Sequence, residues 1–471
     1  MANAAGKSAS IIRENALPGT SGWRLSSPAL KHEIEGFTSV TSVNRGQRIK
    51  LFINTIARSY KITIYRTGWY GGAGARLMKT IAALPSPKRQ PACTAKPQSS
   101  VSCPWHLSYT LAVPTSWLSG VYLAKLTGNG ATLASKRRDT PESYIIFTIR
   151  DDRGSSALLF QSSVNTWQAY NQWGGQSLYR HTDSGKNIMR GYSVSFDRPY
   201  YRGWGAGDFF YWEYPMLRWL EKNGYDVNYI TDMDTDSSAA NLLRHKAFLA
   251  VGHDEYWSRN MYDHVEQARD HGVSLGFFSG NSVYDQVRIL PSSNGARRII
   301  TCYKDAALDP LYHHQNSAVT TNWRAPELGR PEQMLMGEMS ESWFNGSFAL
   351  KPVHTNNPLF AGTGLHEGSQ VPGVVGYEYE RVFKNVPTPA GLTIIAQSPV
   401  VTFEGKKSVA NSTVYRTPGG AVVFDAGSMQ WSWGLDNDTI NAGINGWSIH
   451  NVANRSFQRL TANIIAALLK V

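Results

Sequence analysis

The stretch Ala247–Ser258 reads AFLAVGHDEYWS. An apolar run ends in His253, Asp254, Glu255, Tyr256 and Trp257, where a loop should begin. Histidine and carboxylates are the usual proton donors and acceptors of catalysis. Oxygen donors also suit hard cations. Asp254 and Glu255 are adjacent, so on extended backbone they point opposite ways and one of them faces a cleft easily. Two further strand-like runs end in polar residues. GFFSGNSVYDQ carries Asn281, Ser282, Tyr284 and Asp285, and VVFDAGSMQWSW carries Asp425, Ser428 and Trp431. Sites in open parallel sheets gather at the carboxyl ends of strands. If these strands are neighbours, their ends form one cleft, with His253, Glu255, Asn281 and Asp425 as catalytic candidates. The aromatic stretch with Asn165, Trp167, Tyr170, Asn171 and Tyr179 supplies a wall. The expected substrate-binding side chains are Trp167, Tyr170, Asn171, Trp257, Tyr284 and Trp431.

The elements that must position these residues fall into two textures. Up to about residue 150, short alternating runs such as RIKLFINT, YKITIYRT and SYIIFTIRD are separated by Gly, Pro and Ser turns. This predicts an Ig-like β-sandwich over 1–152. From 153 to 471 the pattern becomes α/β. ALLFQSS, YDVNYITD, KAFLAVG and VSLGFFSG read as strands buried on both faces. EYPMLRWLEKNG is a helix that stops at Gly224, and SRNMYDHVEQARDHG is a helix capped by Ser258. SFQRLTANIIAALLK closes the chain as a helix. The rhythm predicts a doubly wound parallel sheet, interrupted by an aromatic insertion at 163–210 and an irregular segment at 300–412.

Bulk properties narrow the classes. The 471 residues carry a net charge of +12, but Lys and Arg are scattered and no basic run interleaves with aromatics. A solvated basic surface is expected, with no nucleic-acid partner. No apolar run reaches the roughly 18 residues of a membrane span. Cys93 and Cys103 flank a Pro/Ser-rich loop in PACTAKPQSSVSCPW. A disulfide there would contribute about 2–3 kcal/mol and would imply an oxidising compartment. The start ANAA resembles the remainder of a cleaved export signal, so export is expected, with the signal itself missing and a cytoplasmic location the alternative. Cys302 follows an apolar run and reads as a buried, inert thiol.

VSLGFFSGNS, with a strand, a glycine and a tight turn before a helix, resembles the nucleophile elbow of class I glutamine amidotransferases. Phe278 stands where that elbow carries its Cys, so no thiol mechanism is available. SVNTWQAYNQWGGQSLY, SFDRPY, WEYPMLRWLEKNGYDVNYITD, FLAVGHDEYWS and GAVVFDAGSMQWSWGLD resemble the C-terminal domain of the N,N-dimethylformamidase large-subunit family. ITIYRTGWYGGAGARLM is similar to the β-rich domain that often precedes it. The resemblance implies a class I glutamine-amidotransferase-like α/β domain. It also implies a mononuclear iron held by two Tyr and one Glu, hydrolysis of a small amide, and a small partner subunit. Tyr256 is then one ligand, with Tyr214 or Tyr170 as the second. The Glu is expected around VTTNWRAPELGRPEQMLMGEMSE, where Glu327, Glu332, Glu338 and Glu341 lie and none matches the ligand position. The leading expectation is a metal-assisted hydrolase of an amide or related C–N bond. An exported carbohydrate-active or glycan-binding protein, and a non-catalytic member with a degenerate site, are the alternatives. A homo-oligomer is compatible with each.

Overall fold

The computed structural model describes residues 6–86, 90–94, 100–129, 140–183, 186–438 and 451–470. The ANAA stretch lies outside them. The chain is an α/β protein with a β-rich N-terminal part.

Among the described residues, that first part holds two sheets. One runs in the order Ser42–Asn44, Glu142–Arg150, Gly120–Asn129, Ser59–Thr67, Ala75–Pro85. The other pairs Ile34–Thr38, Arg48–Thr55 and Tyr109–Ala112 as antiparallel neighbours. The period-two alternation of these strands sends Ile62 and Ile64 from one sheet, and Ile49, Leu51 and Ile53 from the other, into one core. Cys93 and Cys103 are joined in a disulfide.

The second part is built on seven strands: β1 (Leu158–Ser162), β2 (Val227–Thr231), β3 (Ala247–Gly252), β4 (Ser274–Ser279), β5 (Thr393–Val401), β6 (Lys407–Arg416) and β7 (Val422–Asp425). Their order in the sheet is β2-β1-β3-β4-β7-β6-β5. The first five are parallel, and β6 and β5 close the edge antiparallel. Every residue of β1 to β4 is buried, which explains their unbroken apolar character. β2 and β3 flank β1 on opposite sides, so the winding direction reverses there. Such a reversal opens a crevice at the carboxyl ends of the two diverging strands, here β1 and β3.

Three helices follow the sequence closely. Helix α1 (Tyr214–Lys222) stops before Gly224, whose φ is +68°. Helix α2 (Arg259–Asp270) starts on Ser258, whose Oγ accepts from the Met261 amide at 3.1 Å. Helix α3 (Arg455–Leu468) buries Phe457, Ile464, Ile465 and Leu468. No helix among the described residues is long and apolar enough to cross a membrane.

Two expectations change. The turn after β4 leads into a β-hairpin, Asp285–Ser292 with Gly295–Thr301, rather than a helix. Val287 and Ile300 are buried in that hairpin, and the two residues Ser293 and Asn294 form its tip, between the paired Ser292 and Gly295. The segment 300–412 is also more regular than expected. It contains β5, the start of β6 and two short antiparallel pairs: Met339–Trp343 with Glu378–Arg381, and Phe348–Leu350 with Val371–Val375.

The two parts are packed as one body. Trp23, Val121, Leu123 and Tyr144 share a core with Leu158, Phe160, Phe210 and Tyr214. Beneath it Arg66 meets Glu221 of α1 through two hydrogen bonds of 2.7 and 2.8 Å, both side chains fully buried. Tyr229 of β2 donates to the same carboxylate at 3.1 Å.

Candidate active site

Strand β3 ends at Gly252 with φ +81°, and a Cβ there would overlap the Trp212 side chain. Only glycine lets the chain turn out of the sheet at that point. The loop that follows is gripped by residues just after β1. The Glu255 amide donates to Thr166 Oγ1 at 2.9 Å, and Asn165 Nδ2 donates to the Tyr256 carbonyl at 3.0 Å. The adjacent acids diverge, as extended backbone requires. Asp254 accepts from Gln161 Nε2 at 2.8 Å inside the sheet. Glu255 turns to the crevice.

There Glu255 gathers phenols. Tyr170 donates to its Oε2 at 2.8 Å, and Tyr179 donates to Oε1 at 2.8 Å and Oε2 at 3.0 Å. The Tyr179 hydroxyl also lies 2.6 Å from that of Tyr256. The Tyr170 and Tyr179 rings stack at 4.2 Å. Lys304 Nζ sits 3.6 Å from the Tyr179 ring centre, 4.0 Å from Glu255 and 3.8 Å from Asp285. His253 Nε2 lies between two carboxylates, 3.2 Å from Glu255 and 3.1 Å from Glu378. It is close enough for ion pairing but not aligned for a hydrogen bond to either. Asn281, at φ +50°, donates through Nδ2 to Glu378 Oε2 at 2.8 Å.

The charges follow from these contacts. Burial pushes the Glu255 carboxyl up, but Lys304 and His253, with the Tyr179 hydrogen bond, outweigh it and hold it at about 2. Burial pulls the His253 imidazole down, but Glu378 and Glu255 overcome this and raise it to about 10. Glu255 is therefore ionised and His253 is a cation near neutrality. Burial first, and the Glu255 charge second, push the phenols of Tyr170, Tyr179 and Tyr256 well above their usual range. These phenols ionise at neutral pH only beside an added strong cation.

The structure brings His253, Glu255, Asn281, Tyr170 and Tyr256 together. It places the other candidates elsewhere. Tyr214 donates its hydroxyl to the Gly74 carbonyl at 3.1 Å and packs on Trp23 and Phe210, because the start of α1 faces the β-rich part. Trp167, Trp257 and Trp431 are buried core side chains. Asn171 ties loops together by donating to Gln168 Oε1 at 2.8 Å and the Pro199 carbonyl at 2.9 Å. Tyr284 lies under the Arg324 guanidinium. Phe278 is buried against Phe424 and Trp431, so the elbow position faces the core. Cys302 is fully buried, and burial pushes its thiol up.

Asp425 belongs to a second acidic group. Burial, then Glu338, push it well above the carboxylate range. Burial does the same to Glu380, whose next cause is Asp425, and to Glu338, whose next cause is Glu380. Both Glu338 oxygens, Glu380 Oε2 and Asp425 Oδ2 are buried without a hydrogen-bond partner. Glu380 Oε1 accepts from the Ser282 amide at 2.7 Å, next to the Asn281 turn.

Sequence reading passed over Glu378 and Lys304 and gave Tyr179 only a wall. The one local signal for Glu378 is the alternation in GYEYER, which sets Glu378 and Glu380 on one face of a short strand. Among the described residues no group of three His, Cys, Asp or Glu side chains is arranged to hold a metal, so any cation at Glu255 depends on the tyrosines.

No curated protein matches the chain. A family model does match it, over residues 61–444, starting inside the Ser59–Thr67 strand and running past β7. The match covers far more than half of the sequence, and the chain belongs to the family described as N,N-dimethylformamidase beta subunit-like, C-terminal.

Proposed function

We propose that the chain is a metal-assisted hydrolase of an amide or related C–N bond, with its centre at Glu255. The observation that carries this reading is one buried carboxylate receiving two phenol hydroxyls, from Tyr170 and Tyr179. Two phenols and a carboxylate are an all-oxygen set, which fits a hard ferric ion. Tyr256 stands behind Tyr179 and orients it through the 2.6 Å contact. Bound iron supplies Lewis acidity toward a carbonyl oxygen or a water. His253, held as a cation between Glu255 and Glu378, is placed to give a proton from Nε2 to a leaving amine. Glu378, fixed by Asn281, is the acceptor for a proton from the attacking water. Lys304 keeps Glu255 ionised.

The five parallel strands support an amidotransferase-like α/β domain from 153 onward, and the two sheets sharing one core support an Ig-like sandwich over 1–152. The Cys93–Cys103 bond supports export to an oxidising compartment. The beta-subunit-like family supports a small partner subunit.

Metal analysis of protein from iron-replete cells tests the proposal. The expected result is bound iron with a visible tyrosinate-to-iron absorption band that weakens in Tyr179→Phe and Tyr170→Phe. A colourless, metal-free preparation overturns it.

A further inference from the structure

A cleft of about 210 Å³ lies between the first strand of the three-stranded sheet and the aromatic insertion. Its walls are aromatic: Trp173, Tyr200, Tyr201 and Trp204 line it. Gly205, at φ +103°, lets the insertion press onto the Tyr144 backbone, where a Cβ would collide with the Tyr144 carbonyl. This contact closes one side of the cleft. Tyr201 is 42% exposed at the mouth. Trp173 forms the base, backed by Trp105 at 6.1 Å.

The polar groups decide what fits. His32 Nδ1 lies 2.7 Å from Glu35 Oε2, and the same oxygen accepts from Trp173 Nε1 at 2.7 Å. His32 and Trp173 thus engage the Glu35 carboxylate, and no Lys, Arg, Asp or second Glu lines the cleft to bind a charged ligand. Two other lining groups are unsatisfied. Ser143 is 5% exposed, and its Oγ has no hydrogen-bond partner. Trp204 Nε1 is buried and also without one. A buried donor left unpaired costs free energy that a ligand oxygen recovers. The matching ligand is neutral, has an apolar face to lie on aromatic rings, and carries oxygens at its edge. A pyranose has this chemistry, and the volume suits one ring.

We infer that this cleft is a binding site for a single neutral sugar ring, separate from the Glu255 centre and not dependent on the hydrolase reading. Intrinsic tryptophan fluorescence and calorimetry on the full chain test it, with glucose, galactose, mannose and N-acetylglucosamine as probes. Saturable binding of at least one of them is expected. Tyr201→Ala, at an exposed position, should weaken it about tenfold, and Trp204→Phe, which keeps a ring but removes the N–H, several-fold. Unchanged circular dichroism and thermal midpoints establish that these variants fold. Ser143→Ala gives a second reading of the polar contact. The inference is overturned if none of the four sugars binds, if binding ignores all three substitutions, or if the cleft takes benzamide and no sugar.

Discussion

Glu255, just after β3, and Asp425, at the end of β7, lie at the carboxyl ends of one sheet with β4 between them; both are buried, and both have other acids nearby. Their ionisation is opposite. Glu255 has Lys304, His253 and two phenols around it and is held at about 2. Asp425 has Glu338 and Glu380 around it, with no cation among the causes that act on it, and is pushed up. Burial acts in the same direction on both, so the difference lies in the neighbours. A buried carboxylate is a usable charge only where the fold also delivers cations or donors to it.

Substitutions can break or sharpen this contrast. Glu255→Gln removes the charge that organises the first group. It should cut bound iron and amide hydrolysis by more than about 100-fold, read by metal analysis and turnover. Lys304→Met makes the first group resemble the second. With its cation gone, the Glu255 pKa rises and the acid limb of the pH–rate profile moves up by about 1–3 pH units, while activity at neutral pH changes little.

Glu338→Gln tests the second group through stability. Unfolded carboxyls titrate near about 4, whereas these folded ones titrate higher. The folded state therefore keeps protons that the unfolded state has lost, and stability falls as pH rises from about 4 through the raised values. Removing one acid should flatten that alkaline loss by about 1 kcal/mol, measured by denaturant unfolding at acid and alkaline pH. The Glu255 contribution runs the other way. It is present above about 4 and lost as pH falls toward about 2. The smallest effect is expected from Asn281→Ala, which frees Glu378 without removing it. Turnover should drop about threefold with iron content unchanged.

Much of this was legible from sequence, for local reasons. Unbroken apolar runs marked β1 to β4, Ser258 and Gly224 marked helix ends, and VGHDEYW marked a loaded strand end. Glu255 was visible as a site acid but not as the carboxylate for the phenols. That role depends on Tyr170 and Tyr179, which lie 85 and 76 residues away. Only the reversal of strand order around β1 brings them to β3. Lys304 and Glu378 were missed because they arrive from a hairpin and a short strand in the region whose pattern was weakest. Tyr214 is a ligand candidate only through the family resemblance, and the helix geometry turns it toward Gly74. Asp425 has the right strand end but the wrong company.

The Arg66–Glu221 pair has a consequence for anyone who trims this protein. A cut near Asp151 looks natural along the ribbon. It would leave a guanidinium facing bare surface on one fragment and an unmatched carboxylate under α1 on the other. Losing one partner of such a pair costs about 3–5 kcal/mol, comparable to the whole margin of a small domain. Expression of either half alone should therefore yield insoluble or molten material, and chimeras need both members of the pair from the same parent.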